Sequence, residues 1–257
     1  MSAQSPINIE EDAKRVFEVL KNGGIAIIPA NVGYGIIAVD PNALRRIYVT
    51  KQRQPHKRHA MMGSFALHQK IHNVDPRAAG LVRLLTVDLD LPAGVVAPYH
   101  SDHAMIRNLP PELLVESTID GMMAMLVNGG RLQDEISRLA TDAGLVVLGS
   151  SANLTGMGSK TVVEDIEADV KAAADIIIDY GRQKFQYPRA SSTMIDFKNM
   201  NVLRYGACYD VIQDVASRFY GIKWPNEPGK AVLVSGHVSS CAMRKEFENE
   251  ENGWLSK

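Results

Sequence analysis

Cysteine is nearly absent: Cys208 and Cys241 are the only two, and neither belongs to a CxxC pair or a His/Cys cluster. A structural zinc site is not expected, and reduced thiols in a cytosol-like compartment are. No apolar run reaches the length of a membrane span, so no membrane partner is expected. The opening MSAQSPINIEED has neither an apolar stretch nor a basic one, so it does not read as a signal peptide, and a cytoplasmic location follows. An excess of one charge is lacking too. Lys and Arg total 28 against 29 Asp and Glu, a net charge of -1, so no global field attracts nucleic acid. Any affinity for anions must come from a local patch. There is no GxxxxGK[ST], no GxGxxG and no GxSxG, which removes the P-loop, Rossmann and nucleophile-elbow readings. His100, Asp102 and His103 fit no standard metal spacing, and no metal site is expected there.

What is present is ordinary globular material. The 257 residues are 46% hydrophobic and 22% charged, enough for one large domain or a domain with an appendage. Asn8 to Glu11 has capping-box spacing, and Ala13, Val16, Phe17 and Leu20 follow as a helical stripe that Gly23 and Gly24 stop. Residues 25–29 and 34–40 read as strands, and Pro41 opens a helix through about Lys51. Strands are expected near 60–65, 122–127, 145–148, 175–179, 193–197 and 201–205. Helices are expected over 75–85, 131–143 and 161–174, and 86–100 reads as irregular. Strands that alternate with helices point to an α/β sheet, and the direct pairing of 193–197 with 201–205 makes it mixed. After Gly206 the pattern changes. Residues 208–257 read as an appendage: a helix over 210–220, a turn from Trp224 to Gly229, a short strand at 231–234 and an acidic tail at 246–251.

Three stretches carry chemistry. Lys51 and Arg53 sit at a helix end and open a basic run with His56, Lys57, Arg58 and His59, broken by Pro55. Arginine holds phosphate by its planar fork and lysine as a point charge. A solvated helix end accounts for the pair equally well when it is taken alone. Ser150, Ser151, Asn153 and Gly156 follow a buried strand, where open α/β sheets place ligands; a capped turn is the plain alternative. Ser191, Ser192 and Thr193 precede a strand with Arg189 nearby, and Arg204 ends the next strand beside Gly206.

The order of these pieces resembles the YrdC-like family, the threonylcarbamoyl-AMP synthases. The matching motifs are Pro29-Ala-Asn-Val-Gly-Tyr34-Gly35-Ile36, Lys51-x-Arg53, Ser151-x-Asn153-x-Thr155-Gly156, Ser192-Thr193-x-x-Asp196 and Arg204-x-Gly206, spread over residues 8–207. The resemblance implies a twisted open mixed α/β sheet flanked by helices, with 8–207 as the nucleotide-binding domain and 208–257 as a short C-terminal appendage. It implies ATP, with Mg²⁺, and the conversion of threonine, bicarbonate and ATP to threonylcarbamoyl-AMP and pyrophosphate. Lys51 and Arg53 would act on phosphates as the catalytic pair. Ser150, Ser151, Asn153, Ser192, Thr193 and Arg204 would hold the nucleotide, and Asn31, Val32, Tyr34, His59 and Leu126 would form the substrate pocket. The departures fall on one side. Ala30 and Val32 stand where the family has threonines, Met62 falls near its histidine, and Leu126 falls near its arginine. The expectation is an enzyme forming an acyl- or carbamoyl-adenylate on an altered amine, carbamoyl or acyl partner. The rival is a non-catalytic module that binds a nucleotide or double-stranded RNA through the basic run.

Overall fold

The computed structural model describes residues 7–53, 57–187 and 190–228. Pro55, His56, Arg189, the expected strand at 231–234 and the acidic tail lie outside the described residues. The chain divides into a compact unit, Met1–Trp224, and a second one, Pro225–Lys257.

Helix α1 (Ile9–Lys21) starts where the Asn8 side chain accepts from the Glu11 N–H, with Glu10, Glu11 and Asp12 at the positive end of the helix dipole. Strands β1 (Ala26–Ala30) and β2 (Gly33–Ala38) form a fully buried hairpin. Helix α2 (Pro41–Thr50) is opened by the Asp40 carboxylate, which accepts from the N–H groups of Asn42 and Ala43. Then come β3 (Ala60–Met62), α3 (Phe65–Ile71), α4 (Pro76–Arg83) and a π-helical turn at Leu84–Asp88. Next are β4 (Ala93–Pro98), α5 (Ala104–Arg107), α6 (Pro111–Ser117), β5 (Thr118–Ile119) and β6 (Met122–Val127). The chain continues with α7 (Arg131–Asp142), β7 (Leu148–Ser151), α8 (Ala168–Ala172) and β8 (Ile176–Ile177). It closes with β9 (Met194–Asp196), β10 (Asn201–Arg204) and α9 (Tyr209–Tyr220).

Ten strands among the described residues make one mixed sheet in the order β10-β9-β4-β6-β3-β7-β2-β1-β8, with β5 paired to β6. The pairs β1/β8, β3/β6 and β4/β9 are parallel and the rest antiparallel. The expected mixed α/β sheet flanked by helices is therefore the observed architecture. Three local expectations change. Residues 86–100 contain β4, a strand deep in the sheet. The helix expected over 161–174 shortens to a 3-10 turn at Val163–Asp165 and α8. The strand expected at 145–148 is shifted, because β7 pairs with β2 through Leu148↔Ala38 to Ser151↔Gly35; Ser150 and Ser151 thus belong to the strand itself.

Side chains alternate between two faces. One face carries the larger core, where Met61, Met123, Met125, Val127, Val95 and Ile195 meet residues of α2, α3, α4 and α9. In α9, Tyr209, Ile212, Val215 and Ala216 are buried in that core, as is Trp224 after it. Residues 208–224 thus pack with the sheet and belong to the first compact unit, whereas the sequence placed them in an appendage. The other face packs α1 and α7 against Ala26, Ile28, Ile37 and Met62. That layer leaves the faces of β3, β6, β4 and β9 partly open.

Candidate active site

The open part of that face is the floor of a cavity of about 340 Å³. The floor follows the strand register. Ala30, Gly35, Gly149, Ala60, Met62, Leu126, Ala124, Val96, Gly94 and Met194 all line it. In β6 the alternation is explicit: Met122, Ala124 and Leu126 are partly exposed, and Met123, Met125 and Val127 are buried.

The walls are cationic. Lys51, Arg53, Lys57, Arg58 and Arg204 line the cavity, and among the described residues no Asp or Glu does. Lys51 ends α2 and is 2% exposed. Its ammonium donates to the main-chain carbonyls of Ser151 and Asn153. Burial, and then the charge of Arg53, bring its pKa down to about 7. The Arg53 guanidinium donates to the Arg58 carbonyl at 2.5 Å and lies 6.0 Å from the Tyr48 ring centroid. Arg204 donates through Nε and Nη2 to the Ser192 carbonyl, at 3.2 and 2.9 Å, and through Nη2 to Ser191 Oγ at 3.2 Å. Burial and the charge of Arg53 both lower Arg204 from its ordinary value.

Four buried polar atoms of lining residues have no hydrogen-bond partner: Arg53 Nε, Ser117 Oγ, Ser150 Oγ and Asn153 Oδ1. Buried polar groups are normally satisfied, and leaving one unpaired costs ~1–3 kcal/mol. Such a set marks a surface built to be completed by a polar ligand. It offers donors to oxygen anions at Arg53, and an acceptor for a hydroxyl or amine at Asn153. For Mg²⁺ the fit is poor. The ion is ordinarily held by one or two carboxylates together with substrate phosphates, and this lining supplies no carboxylate.

Of the residues expected at the site, all but three line this cavity. Asn31, His59 and Thr193 do not line the cavity. Asn31 turns away, its amide donating to the Asn128 carbonyl at 3.1 Å. Thr193 is wholly buried, and its hydroxyl donates to the Ala207 carbonyl at 3.0 Å. His59 is 1% exposed, edge-on to Tyr48, and burial followed by the charge of Arg53 lowers it to about 4. Tyr34 does line the cavity, but its hydroxyl faces the other way, to Asp179 at 2.9 Å.

No family model matches the chain. Over 203 residues it is 26% identical to the "putative threonylcarbamoyl-AMP synthase" of Methanocaldococcus jannaschii, covering 76% of this chain and 86% of that protein. P. abyssi Sua5, solved in complex with L-threonine, superposes with a TM-score of 0.67 at 20% identity. That match covers 90% of this chain but only 64% of Sua5, so the chain spans less than two thirds of that relative. E. coli YciO gives a TM-score of 0.60 at 20% identity, covering 79% of this chain and 92% of the other. The chain thus has the fold of Sua5 and YciO and is similar in sequence to a protein named as a threonylcarbamoyl-AMP synthase.

Lining groups that the sequence reading passed over are Ser117, Ile119, Met122, Ala124, Val96, Met194 and Leu203. The alternating pattern over 122–127 was a usable signal for Met122 and Ala124. The segment around Ser117 had no such signal, because its two-residue strand β5 exists only through pairing with β6.

Proposed function

We propose that this YrdC-like chain binds ATP and forms an acyl- or carbamoyl-adenylate, with release of pyrophosphate, on an amine, carbamoyl or acyl partner other than threonine. The observation that carries this reading is the composition of the cavity wall: among the described residues, five cations, no carboxylate and unpaired polar atoms at Arg53, Ser150 and Asn153. A triphosphate matches that wall in charge and in hydrogen bonding. The catalysis asked of the chain is positioning and electrostatic stabilisation, because charge moves onto phosphate oxygens as pyrophosphate departs. Lys51 and Arg53 would hold phosphate oxygens, and Ser150, Ser151, Asn153, Ser192 and Arg204 would fix the remainder of the nucleotide. Thr193 would act behind them by holding the β9 entry against Ala207. The doubt about threonine comes from Ala30, Val32, Met62 and Leu126, which line the cavity without a hydrogen-bonding side chain.

The cations line a concavity, which supports a small nucleotide over an RNA duplex read on an outer surface. The test is calorimetry with ATP on the wild type and on a Lys51→Ala/Arg53→Ala double variant. A loss of a few kcal/mol of binding free energy in a folded variant is the expected result, on the scale of ~1.5–3 kcal/mol for each hydrogen bond to a charged group. Unchanged ATP affinity would sink the reading.

A further inference from the structure

Part of the cavity floor is an apolar strip, and the strand register defines it. Met62 lies opposite Leu126, Leu126 opposite Gly94, and Gly94 opposite Met194. The strip thus crosses β3, β6, β4 and β9, roughly 14 Å at about 4.8 Å per strand. Beside it, Ala124 lies opposite Val96, and Met122 opposite Ile119. Met122, Ala124, Leu126 and Met194 remain partly exposed, although every neighbour on the opposite face is buried. Apolar side chains kept open inside a cavity are a binding surface for something apolar.

Resting on the adenylate-forming reading above, we infer that the partner substrate is an amine with an apolar aliphatic side chain, an amino acid of leucine or methionine size. Ala60 and Ala124 present only small side chains along the strip, while Met194 packs over Gly94. The methionines, unbranched and flexible, accommodate more than one aliphatic shape. A hydroxyl brought against the side chains of Met62, Leu126 and Met194 would lose its bonds to water and gain none from those groups. Arg58 stands by β5, where its Nε donates to the Thr118 carbonyl at 3.1 Å, and Lys57 also lines the cavity. They place positive charge where an amino-acid carboxylate would lie. In the reaction, the amine nitrogen bonds to the carbon of bicarbonate and water leaves, giving a carbamate. A carbamate oxygen then bonds to the α-phosphorus of ATP, the α–β bridging P–O bond breaks, and pyrophosphate leaves with the electron pair.

The full chain is to be assayed with ATP, Mg²⁺ and bicarbonate plus L-threonine, L-valine, L-leucine or L-methionine. Pyrophosphate release and the mass of the adenylate are the readouts. Leucine or methionine should exceed threonine at least tenfold in kcat/KM, since one methylene in an apolar pocket is worth about 10- to 200-fold. Threonine equal to or better than both overturns the inference. ATP binding by calorimetry with no amino acid supporting turnover also overturns it, while leaving the nucleotide reading in place. Failure to bind ATP overturns both. In the partly exposed positions, Met122→Gln and Leu126→Gln should each reduce the leucine advantage about tenfold without changing ATP affinity. An advantage that persists in a folded variant overturns the assignment of the strip.

Discussion

Lys51 and Asn153 are 102 residues apart in sequence, yet the ammonium of one donates to the main-chain carbonyl of the other. The same ammonium reaches the Ser151 carbonyl. The end of α2 is thereby fastened to the end of β7, and one charge both closes the fold and faces the cavity.

This double duty has a pH signature. Lys51 titrates near 7 in the folded chain because of burial and then Arg53, against an ordinary value of 10.5. Between those values the unfolded chain binds more protons, so this group makes the fold more stable as pH rises from about 7 to about 10.5. On the proposed function, phosphate binding has the opposite sign, because it would use the ammonium. ATP affinity should therefore fall as pH rises from 7 to 9, and that fall should vanish in Lys51→Met. The variant should also lose ~1–3 kcal/mol of stability at pH 6–7, from two carbonyls left without a donor. Calorimetric titrations at three pH values and denaturant melts check both statements.

A second pH effect lies away from the cavity. His68 on α3 and His72 at its C-cap are buried, with their Nδ1 atoms 2.8 Å apart and His72 Nε2 3.2 Å from the Met123 carbonyl. If His72 donates through Nε2, its Nδ1 accepts from His68, and both rings are neutral. Burial lowers His68 to about 4; burial and then His68 lower His72 to about 3. Both sit below the ordinary 6.5, so the unfolded chain takes up protons first, and stability falls as pH drops below 6.5. The slope should approach ~1.4 kcal/mol per pH unit for each histidine, flattening near their folded values. Urea midpoints from pH 7 to 4 should show this decline, and His68→Leu/His72→Leu should show a shallower one.

The architecture was legible in the sequence where periodicity was strong. The capped helix at Ile9–Lys21, the hairpin of β1 with β2 and the pair β9/β10 follow from side-chain pattern and turn residues. Strand β4 was not legible. Pro92, Gly94 and Pro98 read as loop residues, and only the sheet gives Gly94 its reason: a Cβ there would meet Met194 Cγ at 2.7 Å. The cations of the cavity were legible as a local run plus Arg204, and their convergence required the fold. His59 and Thr193 were misplaced for a shared reason. A polar residue beside a motif reads as site-facing, while strand alternation sends it into the core.

The C-terminal boundary can be tested by truncation. The helix expected to be an appendage contributes Tyr209, Ile212 and Val215 to the core, and Trp224 follows, its indole N–H donating to the Met200 carbonyl at 2.6 Å. Burial of such side chains is worth ~1.5–3 kcal/mol each, which together rivals the ~5–15 kcal/mol stability of a typical domain. A chain ending after Gly206 should lose cooperative thermal unfolding. One ending after Gly229 should keep it, with the midpoint changed by only a few degrees.

Gly94 offers the sharpest test of how tightly the floor of the cavity is built. Its missing Cβ would lie 2.7 Å from Met194 Cγ, 3.0 Å from the Thr193 carbonyl oxygen and 3.1 Å from Ser192 Oγ. The methionine can swing aside, but the carbonyl is main chain and is fixed by the parallel pairing of β4 with β9. Gly94→Ala must therefore push β9 outward by a few tenths of an ångström, and Ser192 with it. The Ser192 carbonyl is what receives the Arg204 guanidinium, so the displacement passes to a cation of the wall. The expected cost is ~1–3 kcal/mol of stability, the usual scale of overpacking. ATP affinity should drop severalfold as well, and Gly94→Val should lose more on both counts. Denaturant melts paired with calorimetry measure the two effects. Native stability and native affinity in Gly94→Ala would show that β9 gives way freely and that Arg204 is not held by this contact.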